Sequence, residues 1–354
     1  MAKPKIAIVR GKFLNRYEMQ FFEPLVRDFD ITAFGSLMPY HDHFAFPVVK
    51  LPSPMDLPEF PYKMGVLNRL FVDAHYLWGL EERLQGFDLV HSAETYFHYT
   101  QQALNAKKKG YVKKVIATVL ENIPFNNESI WGRKAFKARA RNELDHIIAL
   151  TNKTKEALLA EGADPKKVTV ISHFVDTKRF HPVQKKNTKH VTVLFVGRLE
   201  EEKGVLDIVQ AARLLPGVRF LFVGDGSLGG RVEHRSVSYD EMPSVYQQAD
   251  IFVAPSKSTP TWEEQYNTAL LEAQASGLPI VTTRSGGIPE NVGDAAIIVP
   301  PGDVGAIATA LKRFIFSPSL RKQYGQKARR RAETVHDIKI GASKLKDLYL
   351  SLLS

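Results

Sequence analysis

The sequence contains no cysteine, which excludes a disulfide framework, thiol chemistry, an Fe–S cluster and a cysteine zinc site. Stability is therefore left to packing. The N-terminal stretch MAKPKIAIVRGKF has only Ile6 to Val9 as an apolar run, too short for the core of a secretion signal or for a membrane span. The expectation is a cytoplasmic chain. The eleven histidines, including His41 with His43 and His91 with His98, show no H-E-x-x-H or other metal spacing, so no metal is expected and these residues read as structural or surface groups. No helix-turn-helix, zinc-finger or RNP-type aromatic signature is present, so nucleic acid is not an expected partner. There is no internal repeat and no low-complexity tract.

What is present is an ordinary globular composition, 44% hydrophobic and 24% charged over 354 residues, which suits two cores better than one. The net charge of +10 is spread as +4 up to Thr177 and +6 beyond it. Two clusters stand above this background: Lys107, Lys108, Lys109, Lys113 and Lys114, then Arg133, Lys134, Lys137, Arg139 and Arg141 with no acid between. Each reads as a solvated face or as a surface for anionic lipid headgroups, so peripheral contact with the inner face of a membrane is kept as an expectation.

Short β-branched runs alternate with longer amphipathic stretches. In the first half they are Lys5 to Val9, Ile31 to Phe34, Val48 to Leu51, Asp88 to His91, Val115 to Val119, His146 to Leu150 and Val168 to Ile171. In the second half they are Val191 to Val196, Arg219 to Val223, Arg235 to Ser238, Ile251 to Ala254, Ile280 to Thr283 and Ala296 to Val299. Ser238 before Glu241 and Asp303 after Pro301 and Gly302 are helix starts, and Ser276 with Gly277 is a stop. Two successive βα arrays predict an α/β protein of two doubly wound, Rossmann-like domains, because parallel strands need helical crossovers. The polar segment Asp176 to Lys189 reads as the join, and Ile338, Ala342, Leu345, Tyr349 and Leu352 mark one face of a final helix.

Two stretches carry chemistry. Phe195 to Gly204 is a strand ending in a glycine turn that delivers Arg198 and Lys203, a planar fork and a point charge suited to a diphosphate. Read alone, it is also a surface turn whose cations pair with Glu200, Glu201 and Glu202. Downstream, Glu264 and Glu272 flank the start of a helix. If helix fills most of that interval, they lie roughly 12 Å apart on one face, with free N–H groups near Tyr266 to Thr268 for phosphate oxygens. The plainer reading is acid favouring a helix dipole. The aromatic and basic residues Phe60, Tyr62, Lys63, Phe71, Tyr76 and Trp78 read as a core stripe or, alternatively, a lipid-facing surface.

Taken together, Phe195 to Gly204, Gly224-Asp225-Gly226, Ala249-Asp250 to Pro255-Ser256, Glu264 to Glu272, Gly277-Leu278-Pro279 and Gly286 to Glu290 resemble, in order and spacing, the retaining glycosyltransferase family 4. The resemblance is specific in the C-terminal half. It implies the GT-B fold, two Rossmann-like domains facing across a cleft: residues 1–180, with a C-terminal helix 336–354 crossing back to them, and 190–335 as the nucleotide-sugar domain. It implies transfer of a hexose from a UDP- or GDP-linked sugar to a saccharide or lipid-linked acceptor, without an obligatory metal or other cofactor. By the same resemblance Arg198 and Lys203 hold the diphosphate, Glu272 the ribose hydroxyls, and Glu264 with Tyr266, Asn267 and Thr268 the donor sugar. Gly197, Gly226 and the loop Arg235 to Val237 contact the nucleotide.

The N-terminal half resembles the family more loosely, through Val170 to Asp176 and the strand end Asp88 to His91. There Gly11, Lys12, Asn15, Glu94 and Tyr96 are placed on the acceptor side. The family's glycine pair after the first strand is absent, Glu121 stands near the position of its usual histidine, and Tyr266-Asn267 replace a phenylalanine and a glycine. Asparagine tolerates the left-handed backbone a glycine would supply. Two alternatives are weighed: a nucleotide-sugar-binding protein without turnover, and an NAD(P)-dependent oxidoreductase suggested by the G-x-G-x-x-G match at Gly224 to Gly229. Asp28-Phe29-Asp30, a formal D-x-D, reads as a solvated turn.

Overall fold

The structure, a computed structural model, describes residues 2–184 and 190–354. Residues 185–189 of the expected linker lie outside the described residues. The chain divides into two compact units, Met1–Ser172 with Gly341–Ser354, and His173–Ile340. The segment from His173 to Phe180 thus packs with the second unit rather than the first.

The first unit holds seven strands: β1 (Lys5–Gly11), β2 (Asp30–Gly35), β3 (Val48–Lys50), β4 (Phe87–Ala93), β5 (Val112–Val119), β6 (His146–Ala149) and β7 (Val168–Val170). They form one sheet in the order β3-β2-β1-β4-β5-β6-β7, and every pairing is parallel. The second unit holds β8 (Thr192–Val196), β9 (Arg219–Val223), β10 (His234–Arg235), β11 (Ile251–Ala254), β12 (Ile280–Thr283) and β13 (Ala296–Val299). These are ordered β10-β9-β8-β11-β12-β13, again all parallel. The central strands are nearly continuous apolar runs because helices cover both faces, as the two buried clusters around Val90 with Val115 and around Val193 with Val253 show. In each sheet the strand order reverses once, between β1 and β4 and between β8 and β11. Loops leaving the carboxyl ends of those strands border a crevice in each unit.

Local signals act as their chemistry dictates. Asp303 caps the helix Val304–Phe316 through the Ala306 N–H at 2.8 Å, and Ser238 with Glu241 forms a capping box. The helix Thr268–Ala275 ends in a Schellman turn: Leu278 N–H reaches the Ala273 carbonyl, Gly277 N–H that of Gln274, and Gly277 sits at φ +68°. The tenth strand is shorter than expected and shifted, pairing only His234 and Arg235, since Ser238 is already a cap. The final helix, Ile338–Leu353, buries Ala342, Leu345 and Tyr349, and its residues from 341 onward belong to the first unit. Tyr349 Oη meets His91 Nδ1 at 2.6 Å, and Lys346 pairs with Asp28 at 2.6 Å. His91, also bonded to Thr118 Oγ1, is a structural histidine, and Asp28 is engaged by the last helix.

Part of each basic cluster is paired within the unit, while Lys108 and Lys134 are exposed. Lys107 pairs with Asp145 at 2.7 Å, Lys109 with Glu81 at 2.7 Å and Lys113 with Asp88 at 2.7 Å. Arg133 pairs with Asp73 at 3.0 Å, while Lys137 and Arg141 share Glu161 at 2.5 and 2.8 Å. Their partners are distant in sequence, which local charge counting misses. The aromatic stripe is divided as well. Lys63 is buried on the Met55 and Leu57 carbonyls and Phe71 packs on a small core of Met55, Leu67 and Ala74, whereas Phe60, Tyr62 and Trp78 are exposed. Among the described residues no helix is long and apolar enough to cross a membrane.

Candidate active site

In the second unit, the turn after β8 begins with Gly197 at φ +153° and is braced from behind by the turn after β9. A Cβ on Gly224 would lie 2.0 Å from the Gly197 carbonyl oxygen, and one on Gly226 within 2.6–2.8 Å of the Leu199 backbone. Leu199 N–H donates to the Asp225 carbonyl at 2.9 Å. Two of the glycines in the G-x-G-x-x-G match are therefore required by backbone-to-backbone packing. The segment that follows is a short 3₁₀ turn, Gly229–Arg231, where a dinucleotide fingerprint would open a helix.

This brace fixes the start of a loop that carries Arg198 outward and Lys203 inward. The Arg198 side chain is 60% exposed and touches Glu202 at 3.1 Å, the expected local pair. Lys203 turns the other way: its Nζ lies 3.0 and 2.7 Å from the two carboxylate oxygens of Glu264 and 5.1 Å from the centre of the Trp262 ring. Glu264 is buried and also accepts from Ser256 Oγ at 2.8 Å and Asn267 Nδ2 at 3.3 Å. Ser256 follows β11, so residues after β8 and β11 converge where the sheet order reverses. The next residue, Gly204, is held at φ +74° with its would-be Cβ 2.2 Å from the Pro255 carbonyl, so only glycine lets the two loops approach.

The helix expected to span most of the acidic pair starts only at Thr268. Asn267 sits at φ 60°, ψ 85°, a left-handed position that breaks the backbone between Glu264 and the helix. Asn291 Nδ2 donates to the Tyr266 carbonyl at 2.5 Å and to the Asn267 carbonyl at 3.3 Å, clamping that bend. Tyr266 is buried, its hydroxyl 3.4 Å from His336 Nδ1. In the helix that follows, Leu270 N–H donates to the Asn267 carbonyl at 3.0 Å, and the amides of Thr268 and Ala269 open the helix ahead of it. On the same helix Glu272 is buried and accepts from Tyr246 Oη at 2.7 Å; burial pushes its carboxyl up to about 7, against the opposing pull of that hydrogen bond and of Arg179. Arg235 is exposed, donating to Gln248 Oε1 at 3.2 Å, and Val237 is half-buried nearby in sequence. The structure thus joins Lys203, Glu264 and Asn267 by direct contacts, keeps Arg198 on an exposed pair with Glu202, and brings neither Arg235 nor Glu272 into contact with them.

In the first unit, Glu94 lies at the end of β4 with φ +57°. Its Oε1 accepts from Leu120 N–H at 2.9 Å and Glu121 N–H at 3.2 Å, which binds it to the loop after β5. Burial first, then the neighbouring Glu121, raises its carboxyl to about 8. Glu121 is itself raised, mainly by burial, and accepts from Ile123 N–H and Asn126 Nδ2. The Tyr96 ring lies 4.8 Å from the Arg133 guanidinium. Gly11, at φ +54°, abuts the Tyr99 ring, and Lys12 is half-buried. Asn15 is different: its carbonyl caps the helix Arg16–Met19 through Glu18 N–H at 2.9 Å and its amide donates to Phe13, so both ends are committed to structure.

Sequence reading missed Asp73 and His75 here. Asp73, fully buried, accepts at Oδ1 from His75 Nδ1 at 2.9 Å and at Oδ2 from Arg133 at 3.0 Å. A D-x-H spacing matches no metal or triad pattern, and the available signal was an aspartate amid the apolar residues Phe71, Val72 and Ala74. Among the described residues no group of three or more His, Asp or Glu is placed to hold a metal ion.

Two all-parallel α/β units, one carrying a lysine–glutamate cluster and a helix N-terminus at its switch point, are a pair of Rossmann-like domains. The model of the glycosyl transferases group 1 matches residues 176–331, and that of glycosyltransferase family 4 matches residues 38–179. The chain belongs to these GT-B glycosyltransferases. It is 30% identical over 170 residues to the sulfoquinovosyl transferase SQD2 of Arabidopsis thaliana, a match covering 44% of this chain and 32% of that one. The chain spans about half the length, or less, of the curated relatives it matches. Its fold is that of sucrose-phosphate synthase from Thermosynechococcus elongatus (TM-score 0.79, 18% identity, 99% of each chain). It is also that of Anabaena Alr3699/HepE in complex with UDP and glucose (TM-score 0.78, 15% identity, 98% of this chain and 100% of that one).

Proposed function

We propose that this protein transfers a hexose from a nucleotide-diphosphate sugar, UDP- or GDP-linked, to a hydroxyl of a saccharide or lipid-linked acceptor, with retention at the anomeric carbon. The main support is the Lys203–Glu264 cluster beside the solvent-facing Arg198 at the carboxyl ends of β8 and β11. As the diphosphate leaves, its charge is met by Arg198, Lys203 and the amides that open the helix Thr268–Ala275. Donor binding gives Lys203 phosphate oxygens to hold and leaves Glu264, still anchored by Ser256 and Asn267, to accept from sugar hydroxyls. Glu272 takes the ribose hydroxyls, Arg235 and Val237 border the base, and Gly197 and Gly226 keep backbone close to the phosphates. The attacking hydroxyl passes its proton to a departing phosphate oxygen, so Glu121 acts as an electrostatic group. Gly11, Lys12, Glu94 and Tyr96 belong to the acceptor side in the first unit.

The test is thermal stabilisation by a panel of UDP-, GDP- and ADP-sugars with NAD and NADP as controls, together with release of free nucleoside diphosphate. A ligand at 100 times its Kd adds about 2.7 kcal/mol. One nucleotide sugar should stabilise the wild type and lose that effect in Arg198→Ala, and NMR of the product should show the donor's anomeric configuration. Stabilisation by a nicotinamide cofactor alone would overturn the proposal.

A further inference from the structure

Seven buried polar side-chain atoms among the described residues of the first unit have no hydrogen-bond partner, and three of them are His75 Nε2, Glu94 Oε2 and Tyr99 Oη. Such atoms are costly to leave bare, and a native structure holds few of them. These three belong to one neighbourhood. Glu94 ends β4, and Tyr99 lies in the first turn of the helix His98–Lys108 that follows, its N–H donating to the His75 carbonyl at 3.1 Å. The Tyr99 ring packs on Gly11 at the end of β1, and its hydroxyl, whose ionisation burial opposes, lies within reach of the charges of Arg10, Asp73 and Glu94. The group therefore surrounds the point where the first sheet reverses its strand order, the place where open α/β sheets take ligands.

His75 is held with particular care. Its Nδ1 faces the Asp73 carboxylate, so the neutral ring carries its proton there and turns its lone pair to Nε2. Asp73 is fixed in turn by Arg133 and by the backbone N–H groups of His75 and His98. Around the imidazole, Phe13 and Phe97 lie at ring-centre distances of 4.9 and 4.3 Å, and both are half-exposed. An oriented acceptor, a carboxyl oxygen, a phenol hydroxyl and half-exposed aromatic faces together match a pyranose or cyclitol ring, which offers hydroxyls at its edge and C–H groups on its faces.

We propose that His75 is a specificity-determining residue that receives a hydroxyl of the acceptor ring at Nε2, with Glu94 and Tyr99 taking neighbouring hydroxyls and Phe13 and Phe97 lining the ring's apolar face. Calling that ring the acceptor rests on the proposed transferase reaction; the binding of a neutral polyol in the first unit does not.

The experiment uses the full chain with ¹⁵N-labelled histidine and three probes, D-glucose, D-galactose and myo-inositol. The His75 Nε2 resonance is followed during each titration, before and after a saturating nucleotide sugar is added. Hydrogen bonding by a hydroxyl should move that resonance upfield for at least one probe. The informative variant is His75→Asn, whose amide keeps the Nδ1-like contact with Asp73 but lacks the distal acceptor. It should retain the wild-type melting temperature within a few degrees and weaken binding of that probe at least tenfold, with donor affinity unchanged. Glu94→Gln should weaken the same probe less. If no probe moves the Nε2 resonance, or if His75→Asn binds as the wild type does, the site is an internal water pocket and the inference is wrong. Failure of donor binding in the wild type would instead sink the proposed function, so the two are separable.

Discussion

Removing Lys203 should destabilise the second unit more than removing the glutamate it neutralises, although the same pair is broken either way. Glu264 is only 5% exposed and lies between β11 and the helix Thr268–Ala275, so in Lys203→Met its charge stays behind with Ser256 and Asn267 as partners. Stranding a buried charge costs about 3–5 kcal/mol. The lower figure applies, since two neutral hydrogen bonds remain, giving roughly 3 kcal/mol, or about 6–12 °C for a unit of this size. In Glu264→Gln the amide preserves much of the hydrogen bonding, and the Lys203 side chain, already 16% exposed, can turn to water. That change should cost about 1 kcal/mol. The double variant should be more stable than the sum of the singles implies, by about 2 kcal/mol. Urea unfolding followed by the fluorescence of Trp262, in a Trp78→Phe/Trp131→Phe background, reads the second unit alone because the other two tryptophans lie in the first. Equal costs for the two single variants, or a stable Lys203→Met, would refute the view that the lysine neutralises a buried carboxylate.

Gly224→Ala places a methyl 2.0 Å from the Gly197 carbonyl oxygen and should unfold the second unit, costing more than about 4 kcal/mol, whereas Gly217→Ala, in open space at φ +80°, should cost about 1–2 kcal/mol in the same urea assay. Glu94, with its carboxyl raised to about 8, binds its proton more tightly folded than unfolded, so its contribution falls as pH rises from about 4.5 to 8. Glu94→Gln should accordingly gain stability over the wild type across that window, on the order of 5 kcal/mol by pH 8.5, and a pH-independent difference would contradict the burial argument. Glu161→Gln leaves the buried Lys137 only its 3.7 Å pair with Glu128 and the Asn126 carbonyl and should cost about 3 kcal/mol, while Lys137→Met leaves Glu161 paired with Arg141 and should cost about half as much, measured by melting of the first unit.

Most strands were legible because they are short β-branched or aromatic runs between polar or turn residues, and that signal is local. What went unread is non-local or turns on one dihedral angle. Asn267 was recognised as tolerant of a left-handed backbone, yet that same conformation is what stops the helix short of Glu264. The second basic cluster appeared free of acid because Glu161, its main partner, lies twenty or more residues away, packed against the helix Arg133–Glu143. Asp73 and His75 sit two apart in a segment of aromatic residues, and only the fold reveals that Arg133, sixty residues on, completes the pair.

The two crevices rest on the same topology but differ in charge for reasons visible in their hydrogen bonds. In the second unit Arg198 is exposed and bound only to a local glutamate, and Lys203 is held by a carboxylate that Ser256 and Asn267 can continue to satisfy. Positive charge is thus available there at little cost, which suits a diphosphate. In the first unit most charges are paired internally, Asp73 by Arg133 and Glu161 by Lys137 and Arg141, while burial favours the neutral form of Glu94 and the buried Arg10 donates to the Val9 and His91 carbonyls. The atoms left without a partner around its switch point include an imidazole nitrogen, a phenol and a carboxyl oxygen, all directional. A parallel sheet supplies the crevice in both units by strand order alone; the pairing of charges behind each one determines whether an ionic or a neutral, hydroxyl-rich ligand is the better match.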